Sequence, residues 1–364
     1  MKLCLRWMLA AAACWFATAQ IFAAGEEKPR KVSLAMVGVA HCHTPGFLQM
    51  VKARDDVQIK YVWDHDAARA KQNAAEVDAK VPESLDQVWA DPDVAGVVIF
   101  SETNRHRDLV LAAAKAHKAM FVEKPLGINA KESDEMARAI DEAKVLFNTG
   151  YFNRSLPIHL FLKDEIAKGH FGKITRVRAS NCHDAVLGGW LGGPWVWMTD
   201  PKIAGVGAFG DLGTHMVDLL IWMLGDVDRV TAELSTPVGR YGQGDETGEA
   251  LIRFKSGVIA TVAAGWVDVE NPVTLLISGT EGHAVVVNGR LYYKSSQVPG
   301  ADARRPWNKF PKAQPHSFNI FLDAVTGNKS VPLVTPCEAA GRVHVMEAIY
   351  EAAKQHAWVS LSGP

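Results

Sequence analysis

Residues 32–47 read VSLAMVGVAHCHTPGF. The apolar run Leu34–Val37, with Gly38 close behind it, predicts a buried strand that empties into a tight turn. Dinucleotide-binding strands end this way, in the pattern G-x-G-x-x-G. The six positions here are Gly38, Val39, Ala40, His41, Cys42 and His43. Gly38 suits the turn. Ala40 adds one methyl where backbone must approach a pyrophosphate, and His43 replaces the glycine that permits the closest helix packing. The same residues raise a metal reading through His41, Cys42 and His43. Zinc sites want three or four ligands at recognisable spacings, and no second cluster of that kind follows in the sequence. The expectation is therefore no metal, with at least one of His41 and His43 donating to phosphate.

Beyond this stretch strands and helices alternate. VQIKYVWD (57–64), VAGVVIF (94–100), AMFVEKP (119–125) and VLFNTGY (145–151) read as strands. HTPGFLQMVKAR (43–54), DAARAKQNAAEV (66–77), RHRDLVLAAAKAH (105–117) and AKESDEMARAIDEAK (130–144) read as helices. Short apolar strands separated by helices predict a doubly wound parallel sheet of the α/β class, with ligands beyond the carboxyl ends of its strands. Asp64 closes the second strand, 26 residues after Gly38. It can accept hydrogen bonds from both ribose hydroxyls of NAD and repel the 2′-phosphate of NADP; the competing reading is a cap on the helix that follows.

Two further segments carry chemistry. In FVEKPLG (121–127) a lysine, Lys124, stands at the end of a parallel strand, Pro125 stops that strand, and Glu123 can fix or tune the ammonium. In AGVGAFGDLGTHMVDLLIWMLGD (204–226) three glycines mark a loop before a helix that Gly225 ends. Asp211 and His215 are four apart and share one face of that helix, continued by Asp218. A carboxylate in that position orients an imidazole and favours its protonated form. Trp190, Trp195 and Trp197 precede the glycine loop, as core residues or as flat faces for a sugar ring.

With these motifs in order, the chain from about residue 32 onward resembles the Gfo/Idh/MocA oxidoreductases. EKP is that family's signature, and GDLGTHMVDLL matches its second motif. GYFNRSLP (150–157), WMTDPKIAGVGA (197–208), DETGEALIRFKSGVIATVAAGW (245–266), ISGTEGHAVV (277–286) and VTPCEAAGRVHVMEAIYEAA (334–353) read like further family segments. The resemblance implies a Rossmann-type NAD(P)-binding domain over 32–150. It also implies an α+β domain over 151–364, with a large, mostly antiparallel open sheet through which copies pair as homo-oligomers. The alternating runs EALIRF and VIATVAAGW agree with that sheet. The resemblance further implies a sugar or polyol substrate, with Lys124, Asp211 and His215 catalytic. Ser101 and His106 of SETNRH would lie near the cofactor with Gly38, Ala40, His41, His43, Asp64, Glu123 and Lys124, and Arg154 and Trp197 would line the substrate cleft. The departure is the glycine-poor turn, which leaves NAD against NADP open.

The N-terminus carries an address. Lys2 and Arg6 precede an apolar run, and Ala17-Thr18-Ala19 and Ala24 offer cut sites. This is the layout of a secretory signal peptide over 1–24, which predicts an exported, periplasmic protein with no stable membrane insertion after cleavage. An uncleaved anchor competes, because Trp7 to Ala24 is 18 residues. Cleavage leaves Cys42, Cys182 and Cys337, too few for a disulfide framework. A net charge of −1 argues against nucleic acid as a partner. Export bears on function, because free nicotinamide nucleotide is scarce outside the cytoplasm. The principal expectation is oxidation of a sugar hydroxyl. Its rivals are glycoside cleavage through transient oxidation by a tightly bound NAD, sugar-to-sugar transfer, and a binding module without chemistry.

Overall fold

Alternation builds the first layer as expected. A computed structural model describes residues 31–242 and 244–361; the leader read in 1–24 lies outside them. In chain order come β1 (Val32–Val39), α1 (Thr44–Lys52), β2 (Val57–Trp63), α2 (Ala67–Glu76), α3 (Leu85–Ala90), β3 (Val94–Phe100), α4 (His106–Lys115), β4 (Ala119–Val122), α5 (Ala130–Ala143) and β5 (Phe147–Thr149). The strands pair in parallel in the order β2-β1-β3-β4-β5. Helix α3 had no sequence signal, since its six residues are too few to establish a period. The order reverses direction between β1 and β3, and such a switch point opens a crevice at the strands' carboxyl ends. Gly38 sits on one wall of it with φ +85°, and a Cβ there would lie 2.4 Å from Cβ of Ser101. Glycine is thus required twice over, by the backbone angle and by the contact between strand ends.

The second layer begins with α6 (Pro157–Ala167), β6 (Ile174–Cys182), α7 (Ala185–Gly188), α8 (Pro201–Ala204) and α9 (Ala208–Leu224). It continues through β7 (Val227–Ser235), β8 (Thr247–Phe254), β9 (Ile259–Gly265), β10 (Val273–Gly279), β11 (Gly282–Val287) and β12 (Arg290–Ser295). The chain closes with α10 (Ser317–Val325), α11 (Pro336–Gln355) and β13 (Val359–Ser360). The sheet order is β12-β11-β10-β6-β9-β8-β7-β13. Its pairs are antiparallel except β6 with β9. No helix among the described residues is long and apolar enough to cross a membrane.

Helix α9 is apolar on most of its circumference and correspondingly buried. Phe209, Val217, Leu219 and Leu220 join Val177, Ile252, Val262 and Ile277 of the large sheet in one core. The C-terminal helices then return to the first sheet. Phe318, Phe321 and Leu322 of α10 complete the core with Phe47, Phe100 and Phe121. Ala339, Ala340 and Val343 of α11 pack with Met136 and Ile140 of α5 on the other side. Chain beyond residue 151 therefore closes both faces of the first sheet. This packing holds the first turn of α9 against the end of β4.

Candidate active site

Lys124 follows β4, its side chain only 3% exposed. The ammonium Nζ donates to Asp211 Oδ1 at 2.5 Å and to the Asp211 carbonyl at 3.2 Å. Asp211 comes from the first turn of α9, so this pair bridges the two layers. Trp266, just past β9, donates its indole N–H to Asp211 Oδ2 at 3.3 Å. Burial opposes the charge on Asp211, but Lys124 outweighs it and holds the carboxyl down at about 2. Burial likewise opposes the Lys124 ammonium, yet Asp211 and Glu123 together raise its pKa above the ordinary lysine value. Lys124 is therefore protonated across the neutral range.

Two neutral imidazoles flank this ion pair. His215 lies one turn beyond Asp211 but shares no hydrogen bond with it; its Nδ1 is buried without a partner. Burial, then the Lys124 charge, push His215 down to about 3. Asp211 does favour the imidazolium, as expected, but burial and the Lys124 charge outweigh it, and its oxygens are spent on Lys124 and Trp266 and not on orienting the ring. His41 is also pushed down to about 3, chiefly by burial. Its Nδ1 accepts the His43 backbone N–H at 3.2 Å, which puts the proton of the neutral ring on Nε2. Around these groups a cavity of about 10 Å³ is lined by His41, Thr103, Lys124, Trp197 and Asp211, room for about one water.

Glu123 completes the turn. One oxygen meets His43 Nδ1 at 2.8 Å and the other accepts the Lys124 backbone N–H at 2.8 Å. Against burial, His41, His43 and Lys124 keep its carboxyl well below the usual range. Neither imidazole matches the expected phosphate donor without change: His41 faces Lys124 and Trp197, and His43 has Nδ1 committed to Glu123 and only Nε2 to offer.

The crevice between β1 and β3 carries the other expected residues. Ser101 Oγ and Thr44 Oγ1 are buried without partners. His106 sets one ring nitrogen 3.1 Å from the Leu126 carbonyl and the other 3.3 Å from the Ser101 carbonyl. It pins the segment after Lys124 to the end of β3. Asp64 is more occupied than expected. Its Oδ2 accepts from Val39 N at 2.8 Å, and its Oδ1 accepts from Asp66 N at 2.8 Å and Arg69 Nη2 at 2.7 Å. Arg69 also reaches Glu102 at 2.9 Å. The helix cap is Asp66, not Asp64. Unpartnered hydroxyls beside Gly38, with carboxylates at the outer edge, fit a dinucleotide laid across this switch point. Ala40 and His43 replace the usual glycines, and Pro45 in the first turn of α1 removes one backbone donor.

Two expected cleft residues are placed differently. Arg154 is clamped by Asp218 at 2.9 and 2.5 Å and by Glu338 at 2.9 Å, with Arg342 on the same carboxylate at 2.9 Å. Its guanidinium holds α9 to α11 and, with Tyr151 and Lys163, lines a cavity of about 390 Å³. Trp197 is 8% exposed and donates to the Ala40 carbonyl at 3.4 Å, walling the cavity instead of offering a face to solvent. Trp190, 40% exposed, meets Trp195 edge to face at 6.0 Å. Trp266, Arg69 and Glu102 escaped sequence reading. Only Trp266 had a signal, as the last residue of the strand-like run VIATVAAGW.

Comparison with known proteins agrees with this architecture. Residues 32–151 match the oxidoreductase family with an NAD-binding Rossmann fold, and 159–285 match the GFO/IDH/MocA C-terminal domain. The chain is 29% identical over 222 residues to levoglucosan dehydrogenase of Pseudarthrobacter phenanthrenivorans, an alignment covering 54% of this chain and 56% of the relative. It is 30% identical over 220 residues to 1,5-anhydro-D-fructose reductase of Ensifer adhaerens, covering 60% and 64%. The matched segments thus span less than two thirds of either relative. The crystal structure of aldose-aldose oxidoreductase from Caulobacter crescentus, complexed with glycerol, superposes with a TM-score of 0.77 over 91% of this chain and 100% of that one, at 20% identity. Both halves match in order, and the Lys124–Asp211 pair joins the two signature motifs; the chain belongs to the Gfo/Idh/MocA family of oxidoreductases.

Proposed function

We propose that this protein interconverts a secondary hydroxyl and a ketone on a sugar, polyol or glycoside, using a nicotinamide dinucleotide. The observation that carries the reading is the buried Lys124–Asp211 pair at the end of β4, flanked by two buried, neutral imidazoles. When bound, the nicotinamide supplies the hydride acceptor or donor. The turn at 38–43, the hydroxyls of Thr44 and Ser101, and the Asp64 edge would hold the dinucleotide. Asp211 and Trp266 fix the Lys124 ammonium, which donates a hydrogen bond to the substrate oxygen and stabilises negative charge growing there. His215 takes or returns the hydroxyl proton through its unpartnered Nδ1. Such acid–base help is worth about 10²–10⁴-fold. The test is Lys124→Ala: turnover should fall by about that factor or more while nucleotide binding, read by fluorescence titration, is unchanged. Wild-type turnover in the variant would remove Lys124 from the mechanism.

The names of the relatives support cyclic sugars or anhydro sugars as the substrate class, screened first by nucleotide absorbance. The leader in residues 1–24 supports an exported protein that recycles its nucleotide in place. N-terminal mass analysis of the mature protein tests the first point, and mass spectrometry of nucleotide released on denaturation tests the second. NAD at near one per chain supports the closed cycle; an empty protein that needs added nucleotide speaks for ordinary turnover. For assembly, the half-buried Leu251, Leu276, Val285 and Tyr292 on the large sheet support pairing between copies, which light scattering checks.

A further inference from the structure

The turn after β1 carries donors that a dinucleotide does not need. One ligating atom from each of His41, Cys42 and His43 lies within 4.8 Å of the other two. Consecutive residues on a strand would diverge; this turn folds them inward. The Cys42 sulfur is 3.8 Å from His41 Nδ1, which would exchange the His43 amide N–H it now accepts for the ion, and the two imidazole rings are 4.5 Å apart. Behind them the buried Glu123 holds His43 Nδ1 at 2.8 Å and leaves Nε2 to ligate. A carboxylate behind an imidazole is the usual support of a metal-bound histidine, fixing its orientation and raising its basicity. The nearest formal charges, Glu123 and Asp211 against Lys124, sum to one negative. Cys42 is half-buried and the His43 side chain is 42% exposed, so an ion can enter from solvent.

We propose that His41, Cys42 and His43 form a three-ligand site for a divalent cation of the zinc class, with the fourth position open to water, and that cation and dinucleotide exclude each other at this turn. Two nitrogens and one sulfur suit zinc better than magnesium or calcium, which take oxygen. Binding converts the Cys42 thiol into a metal thiolate and releases its proton to solvent, with no change of oxidation state. The exclusion rests on the dinucleotide reading above; the metal site does not. If each ligand shuts out the other, the coupling is reciprocal.

The test uses the full chain, stripped of metal and dialysed against zinc chloride, beside Cys42→Ser. The expected result is one zinc per chain, with affinity lower by about tenfold or more in the variant. Cobalt(II) should give a thiolate charge-transfer band that the variant lacks. A readout independent of the variant's folding is alkylation of Cys42 by iodoacetamide, which zinc should suppress. Equal zinc affinity in both proteins, a cobalt spectrum without the thiolate band, or unprotected Cys42 would overturn the site. NAD titration with and without zinc tests the exclusion: about tenfold weaker binding or more is expected with zinc, and unchanged affinity overturns it. Failure of NAD to bind the metal-free protein would defeat the dinucleotide reading and leave the metal site standing.

Discussion

Lowering the pH from 7 to 5 should weaken this fold through His41 and His215. Both are buried and neutral, with pKa values pushed down to about 3, whereas in the unfolded chain each has the ordinary value near 6.5. Below pH 6.5 the unfolded state binds these two protons and the native state does not. Stability is therefore full above pH 6.5, falls as pH drops, and stops falling through these groups only below about 3. From pH 7 to pH 5 each imidazole removes about 2 kcal/mol and the pair about 4 kcal/mol, as an order of magnitude. Asp211, whose carboxyl is lowered to about 2, contributes nothing to this window, since its stabilisation is lost only below the ordinary aspartate range. Urea unfolding at pH 7 and pH 5 measures the difference. His215→Gln should cost some stability at pH 7 yet lose about 2 kcal/mol less than the wild type between the two pH values. Other histidines shifted by burial, such as His106, act equally in both proteins and cancel. If the variant loses as much as the wild type, His215 is not held neutral in the native state.

Asp218→Ala should destabilise by about 3–5 kcal/mol, because it leaves the buried Arg154 and Arg342 to share the more exposed Glu338 as their counter-charge; chemical denaturation measures this, and Arg154→Ala should likewise lower stability more than it raises KM. Gly38→Ala should lower the melting temperature and weaken nucleotide binding together, since the new methyl would meet both side chain and backbone of Ser101. Asp64→Ser should shift the ratio of NADP to NAD affinity upward by about tenfold or more, because it removes a carboxylate and frees one partner of Arg69; fluorescence titrations with both dinucleotides read the ratio. For oxidation with saturating nucleotide, the acid limb of kcat/KM should lie below pH 5, in line with the depressed His215; a limb near 6.5 would assign the proton elsewhere.

The strands and most helices of the first layer were legible because their signals are local. Leu34–Val37 and Val97–Phe100 are continuous apolar runs, and Gly225 ends α9 where the apolar pattern stops. The Lys124–Asp211 contact was legible only through the order of motifs, since 87 residues separate the two groups. What escaped was partner choice. Asp211, His215 and Asp218 share one helical face at the spacing of an interacting trio, yet each went to a different neighbour: Asp211 to Lys124 and Trp266, Asp218 to Arg154 and Arg342, His215 to no partner at Nδ1. Spacing along a helix fixes which side chains point the same way. The elements packed against that face decide which of them pair, and those elements arrive from β4, from the segment after β5 and from α11. Asp64 and Arg154 are the same lesson, for both were read as ligand contacts and both are largely consumed inside the protein.

That division of partners also sorts the chemistry. A lysine can accept a proton near neutrality only if its pKa falls, and the sequence left room for burial to do this. In the folded chain Asp211 and Glu123 outweigh burial, so Lys124 stays an ammonium. An ammonium can stabilise a forming alkoxide or give a proton to a ketone, but it cannot take the proton that leaves a hydroxyl. The group with a vacant lone pair is His215, kept neutral by the burial and the Lys124 charge that lower its pKa. In the proposed reaction the Lys124 ammonium would thus face the oxygen that becomes negative, while burial first and the Lys124 charge second, against the pull of Asp211, hold the adjacent imidazole in the state able to receive a proton.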